Sequence, residues 1–367
     1  MVGTQVSLLQ LTLASLYIGI TGYGGGPAII ALMHRYFIDR RKWVDEQDFR
    51  IALSLSQVLP GAQAVSVITY LGFRLGGMPG AIVAPLGLIG PATVLMIVLS
   101  ALYFRFGQLP FVEALFTGLG AVVVALLAYA TMSMGRVMLK DRRALPVGIV
   151  AFILLTAYNL LPRFEAHPAV ARLLVDLRDV PVVLLVVVAA AFAGLLIYRK
   201  LPLADGDAQP AGEALPPRWF WLALLAVIMI LGAICWLFWS SELVQLAVAL
   251  LRVGVFTFGG GYAAIPFFQH EALVTHHWLD SHRQFVDGIA LGQVTPGPVL
   301  ITATFIGYKV FGIAGALLGT VAVFAPGVTA MFVLAHLHEH IRKLAWLQAM
   351  VRGVVAAFIG LLLSVTI

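Results

Sequence analysis

Tyr23-Gly24-Gly25-Gly26 and Phe258-Gly259-Gly260-Gly261 are two copies of one glycine-rich signature, 235 residues apart from Gly24 to Gly259. The same offset carries Trp43 onto Trp278, Asp45 onto Asp280, Gly72 onto Gly307, Gly80 onto Gly315 and Pro91 onto Pro326. Between the tryptophans and the Gly72/Gly307 pair the offset becomes 236, and Gln57-Val58-Leu59-Pro60-Gly61 lies over Gln293-Val294-Thr295-Pro296-Gly297. One residue is inserted there and later deleted. Helix breakers duplicated inside apolar sequence are a construction shared by many secondary transporters.

Composition places the chain in a bilayer. Of 367 residues, 61% are hydrophobic and 11% charged, with a mean hydropathy of +0.99. Soluble domains carry about 25% charged residues. The expected fold is therefore an all-α polytopic membrane protein of two homologous halves. Apolar runs over Pro79 to Arg105, Phe111 to Met138, Val180 to Tyr198, Trp219 to Trp239 and Leu344 to Ile367 reach or approach the ~20 residues that span a bilayer. The net charge of +6 does not point to nucleic acid, because the cations sit in short loops between apolar runs, as positive-inside sorting requires. Cys235 is the single cysteine, which excludes an internal disulfide and a cysteine metal cluster. No Lys or Arg precedes Arg35, so the first apolar run is expected to be a mature helix and not a cleavable leader.

Along the first half, residues 1–143, helices are expected over Val6 to Ile20, Pro27 to about Phe37, Asp45 to Ser56, Ala62 to Arg74, Pro79 to Arg105 and Phe111 to Met138. Pro85 and Pro91 predict a kink in the first long span. The second half, residues 240–367, repeats the order: Glu242 to Phe258, Ala263 to His276, Asp280 to Val294, Val299 to Val310, Ile313 to Leu337 and Leu344 to Ile367. Residues 144–239 hold intervening spans from Leu145, Val180 and Trp219, with a polar linker over 200–217. An odd number of spans between repeats inverts the second copy. Charges agree: Arg136, Lys140, Arg142 and Arg143 follow the last span of the first copy, whereas Arg342 and Lys343 precede that of the second. If both loops are cytoplasmic, these are inverted-topology repeats with broken, re-entrant helices.

The breaks carry the candidate chemistry. A helix N-terminus presents unpaired N–H groups and partial positive charge, and glycine before it lets an anion approach the backbone. Gly24, Gly25, Gly26 and Gly259, Gly260, Gly261 form one pair of breaks; Pro60-Gly61 and Pro296-Gly297 form the other. Converging on a pseudo-two-fold axis, they would hold an oxyanion. The competing reading is that the glycines only permit close helix packing. Gln57 and Gln293 precede the proline breaks and either donate to an oxyanion or cap released carbonyls. Thr295, Thr302 and Thr304 add hydroxyls, though threonine commonly bonds back to its own helix.

Four cations and one carboxylate lie along the expected path. Arg74 and Lys309 correspond at offset 235; they supply charge to an anion path or snorkel at helix ends. Arg352 lies deep in the last apolar run, where arginine is costly and usually functional or paired. Glu113, early in the equivalent helix of the first copy, is a candidate partner for it or a proton site. Arg252 lies about two turns before Gly259 and is a further candidate. The basic run Arg35, Arg40, Arg41, Lys42 reads first as a topology signal and second as an anion-attracting vestibule. His270, His276, His277 and His282, with His336, His338 and His340, read as interfacial and not as a metal site; His270 is a weak proton-coupling candidate. Trp43 and Trp278 read as interface anchors ahead of helix caps at Asp45 and Asp280. No cofactor or metal is expected.

Together the motifs resemble the chromate ion transporter family in its long, two-half form. The likeness is carried by Phe256-Thr257-Phe258-Gly259-Gly260-Gly261-Tyr262, Pro266, Trp278, Phe285, Gln293-Val294-Thr295-Pro296-Gly297-Pro298 and Thr302-Ala303-Thr304-Phe305-Ile306-Gly307-Tyr308. In the first copy it is carried by Gly24-Gly25-Gly26-Pro27-Ala28, Arg41, Trp43, Phe49 and Gln57 to Gly61. Two departures stand out there. Ile29 and Ile30 follow Pro27-Ala28 where the family often has histidine, and Ala62 stands where many members have a second proline. The resemblance implies chromate efflux across a bacterial inner membrane by a multi-pass secondary transporter, with sulfate or another oxyanion as the alternative substrate. An anion channel lined by the same helix ends is a second reading. An intramembrane enzyme is a third, and the missing cofactor motif and lone Cys235 argue against it. A homodimer is the expected assembly.

Overall fold

The computed structural model describes residues 6–107, 109–139, 145–160, 182–198, 241–258 and 261–341, with positions 350, 353–354 and 356–357. Every regular element among them is helical. The first half forms α1 Leu8–Thr21, α2 Gly25–His34, α3 Glu46–Val58, α4 Gln63–Phe106 and α5 Pro110–Leu139. Between the halves lie α6 Leu145–Leu160 and α7 Val182–Tyr198. The second half forms α8 Glu242–Phe256, α9 Ile265–Gln269, α10 His282–Val294 and α11 Thr302–Ile341. The expected span Trp219 to Trp239, the linker 200–217, Cys235, Gly259, Gly260, Arg342, Lys343 and Arg352 lie outside the described residues.

The duplication reaches backbone detail. α2 runs on into a π-helical turn at Arg35–Arg40, and α9 into one at His270–Thr275, the same register at offset 235. Each π turn is closed by a non-glycine residue with positive φ, Lys42 at 54° and His277 at 52°. The caps correct one expectation. Asp45 does cap α3, accepting the Asp48 amide at 2.7 Å. In the second half the cap is Ser281, which accepts from the Gln284 amide at 3.2 Å, and not Asp280. Asp45 and Ser281 differ by 236, so the inserted residue falls just ahead of α10 and frees Asp280 for another partner.

α4 and α11 are hairpins. Gly76 (φ −140°, ψ 16°) and Gly77 (φ 60°, ψ −150°) interrupt α4, and Phe311 (φ −139°, ψ 30°) and Gly312 (φ 56°, ψ −141°) interrupt α11. In a straight helix Gly72 and Gly80 would stand about 12 Å apart. Instead a Cβ on either would overlap the other's carbonyl oxygen, and Gly307 and Gly315 pack the same way. The chain therefore doubles back between arms 63–75 and 78–106, and between 302–310 and 313–341. These are the helices read separately from the sequence. Pro85 and Pro91 keep helical dihedrals, so the bend sits at the glycines and not at the prolines expected to kink the span.

Among the described residues, Gln63–Phe106 and Val299–Ala335 are long and apolar enough to cross a bilayer. The arm 78–106 alone runs about 43 Å at 1.5 Å per residue. Its outer face carries exposed Met78, Ile82 and Leu86, matched at offset 235 by Ile313, Leu317 and Val321. Leu86 is 62% exposed and Val321 64%, the surface a lipid-facing stripe presents. Inward, α1 packs on α4 with Gly19 2.5 Å, by a notional Cβ, from the Leu88 carbonyl oxygen. α8 packs on α11 at the equivalent Gly254 and Val323. Ile18, Ile29, Phe37, Ile68, Leu88, Phe268 and Phe305 are fully buried in the shared core.

Candidate functional site

The two pairs of breaks meet, each bonded to the opposite half. After α3, Gly61 takes φ 96° and its amide donates to the Thr257 carbonyl at 2.6 Å. After α10, Gly297 takes φ 125° and its amide donates to the Gly22 carbonyl at 2.9 Å. Gly22 and Thr257 are equivalent at offset 235, and Gly61 and Gly297 at 236. The contact is therefore reciprocal, as a two-fold relation between the halves demands. The packing beneath is reciprocal too. Gly61 lies on Gly327 and Gly297 lies on Ala92, again 235 residues apart.

The glycines set the local chemistry. Gly24 (φ 95°) and Gly25 (φ 77°) occupy left-handed backbone, which side-chain-bearing residues adopt only at a cost. Gly24 is the N-cap of α2 and offers no side-chain cap. The first-turn amides of α2 are thus left for another acceptor. Among the described residues nothing lies within 4 Å of a notional Cβ on Gly26. In the second half Gly261 opens a short 3-10 turn, Gly261–Ala264, ahead of the five-residue α9. The single expected helix Ala263 to His276 is thus three short pieces.

Tyr262 joins the two glycine breaks and escaped the sequence reading as a site residue. A Cβ on Gly25 would stand 3.7 Å from its hydroxyl. The hydroxyl reaches Gln293 Oε1 at 3.4 Å. Gln293 Nε2 is buried and has no partner among the described residues. A buried amide donor without an acceptor costs about 1–3 kcal/mol, which makes this Nε2 a candidate donor to an anion. Its repeat mate Gln57 is exposed, and the two glutamines are not equivalent. Thr295 and Thr302 are buried and spend their hydroxyls on Gly292 O at 2.9 Å and Val299 O at 3.0 Å. Thr304 pairs with Thr320 at 2.7 Å across the α11 hairpin.

Of the charged candidates, Arg74, Glu113 and Lys309 bind partners outside this junction. Lys309, near the α11 bend, binds Asp280 Oδ2 at 2.8 Å. The Lys309 ammonium, with Gln284, holds the Asp280 carboxyl below the usual carboxylate range. Arg74, near the α4 bend, binds Asp48 Oδ2 at 3.1 Å. Glu113 is engaged by Arg283 at 2.5 Å, a partner on α10 that the sequence reading did not consider. Arg252 is exposed on α8. Among the described residues no three histidines, cysteines or carboxylates gather as a metal site.

Comparison with known proteins fits this architecture. The chromate transporter family model matches residues 9–195 and 244–367, one segment to each side of the linker. The chain belongs to the chromate transporter family. Relatives span nearly all of it. An uncharacterized transporter of Methanocaldococcus jannaschii is 30% identical over 98% of this chain and 84% of its own length. Chromate transport proteins of Pseudomonas aeruginosa and Cupriavidus metallidurans are 32% and 29% identical, over 99% and 96% of this chain and 81% and 80% of their own. No solved structure matches. As a member of this transporter family, the chain is a multi-pass membrane protein.

Proposed function

We propose that this chain exports chromate across the inner membrane by alternating access and so confers chromate resistance. The oxyanion would sit where the breaks meet, with Gly24, Gly25 and Gly26 at the α2 N-terminus on one side. Tyr262, Gln293 and Gly297 would stand on the other, with Gly61 completing the junction. One observation carries this reading: the reciprocal hydrogen bonds from Gly61 to Thr257 and from Gly297 to Gly22 bring an uncapped helix start near a buried amide donor that has no partner among the described residues. Oriented donors suit a tetrahedral oxyanion and do not require a full set of charged side chains. Both halves would rock about this junction as inverted repeats. An inside-negative potential of 100 mV contributes about 2.3 kcal/mol per charge to anion exit, so a dianion needs no ATP to leave.

Labelled chromate uptake into everted membrane vesicles tests the proposal, with excess sulfate as competitor. Saturable uptake with counterflow is expected. Gln293→Ala should reduce it at least tenfold without lowering the amount of protein in the membrane. Arg352→Ala, on the sequence reading, should abolish it. Flux that neither saturates nor shows counterflow would make the protein a channel. No flux above empty membranes would move the search to other anions.

A further inference from the structure

A cavity of about 300 Å3 lies at the N-terminal end of α10, and Tyr103, Glu113, Arg283 and Asp287 are among its lining residues. Asp287 is only 5% exposed, and its Oδ2 accepts the Tyr103 hydroxyl at 2.7 Å. Arg283, one turn earlier on α10, is drawn to α5. It donates to Glu113 Oε1 at 2.5 Å, to the Glu113 carbonyl at 3.2 Å and to the Thr117 hydroxyl at 3.3 Å. On α11, Lys309 is held by Asp280 and Tyr308 is stacked near Phe104. Arg283 is thus spent on Glu113, and Asp287 has the Tyr103 hydroxyl and no ion pair among the described residues.

Repeat register shows that this carboxylate breaks the duplication. At offset 236 Asp287 falls on Ile51, so the first half keeps an apolar residue there. A carboxylate this buried is costly to ionise without a paired cation, and such groups are candidate proton sites. Asp287 also shares α10 with Gln293. Six residues separate them, about 9 Å along the helix axis. One side of it is closely packed. Tyr103 packs on Phe305 with ring centres 5.4 Å apart. A Cβ on Gly288 would meet the same Phe305 ring at 2.5 Å.

We propose that Asp287 is a proton-binding site linked to oxyanion binding at the opposite end of α10, so that anion and proton are taken up together. The linkage rests on the anion site proposed above. Its sign follows from charge: an ionised Asp287 repels a dianion across low dielectric, and a protonated one does not. By reciprocity each ligand then tightens the other. A proton bound with each dianion also halves the net charge that crosses.

Titration calorimetry of purified protein with chromate and with sulfate, in buffers of differing ionisation enthalpy, reads this out. Wild type is expected to take up as much as one proton per anion, its affinity falling about tenfold as pH rises through the Asp287 titration. Asp287→Asn should bind at the acid-limit affinity at every pH without this uptake, and it subtracts chromate's own titration. Asp287→Glu should keep the linkage, and Tyr103→Phe should move its midpoint. Wild-type proton uptake in Asp287→Asn, or loss of its anion binding, would overturn the proposal. If wild type binds neither anion, the anion-site reading falls separately. A titrating carboxylic-acid infrared band missing from Asp287→Asn would still uphold the proton site, and absence of such a band from wild type would overturn it.

Discussion

Gly312 and Gly307 are both glycine for reasons of fold, and the reasons differ. Gly312 stands in open space but at φ 56° with ψ −141°, a region essentially reserved for glycine. A side chain there costs on the order of 1–3 kcal/mol. Gly307 has ordinary dihedrals, but its Cα faces the Gly315 carbonyl oxygen across the hairpin. Gly312→Ala should therefore lower thermal stability modestly and leave folded protein. Gly307→Ala forces two backbones apart and should remove most folded protein, as size-exclusion profiles of solubilised membranes would show. Equal effects would mean the arms do not pack as described. At this scale the sequence is legible for glycine and proline, whose roles are backbone-bound, and much less so for side chains. Tyr262 lay in plain view beside Gly261, yet its value depends on Gly25 and Gln293, which only the tertiary fold brings to it. Asp287 was likewise invisible as a site, because its partner Tyr103 lies in another half of the chain.

The elements were legible because their breakers are. Gly-Gly-Gly-Pro, Pro-Gly and the bends near Gly77 and Gly312 end helices by local chemistry, and the observed ends fall within a few residues of the expected ones. The π turns at Arg35–Arg40 and His270–Thr275 had no such signature, since no residue type demands them. The same limit applies to Lys309. Sequence symmetry with Arg74 suggested an anion path. The structure shows each cation tied to the N-terminal region of α10 or α3, through Asp280 or Asp48. A clamp between hairpin bend and amphipathic helix predicts coupling of about 0.2–1 kcal/mol for such exposed pairs. Lys309→Gln and Asp280→Asn should then each reduce stability slightly, and the double variant no more than either alone. Transport should persist in all three. Transport lost in Lys309→Gln and not in Asp280→Asn would place Lys309 in the path.

At the scale of the whole molecule, the decisive feature is the reciprocal junction between halves. A duplicated protein could place its copies side by side with the same orientation, leaving each glycine break near its own kind at one membrane face. Here each proline break bonds the end of the other half's first helix, which a two-fold axis produces directly. The axis lies in the membrane plane if the halves are inverted and along the membrane normal if they are parallel. The count of intervening spans expected from the sequence favours inversion. Met78 and Ile313 separate the two cases. They are equivalent at offset 235, adjoin the two hairpin bends, and are 52% and 60% exposed. With Cys235 replaced by Ser, Met78→Cys and Ile313→Cys should be labelled by an impermeant maleimide from opposite faces, one in intact cells and the other only in everted vesicles. Labelling of both from one face would place the axis along the membrane normal. Alternating access by exchange of two inverted halves would then lose its structural basis, while the family assignment would stand.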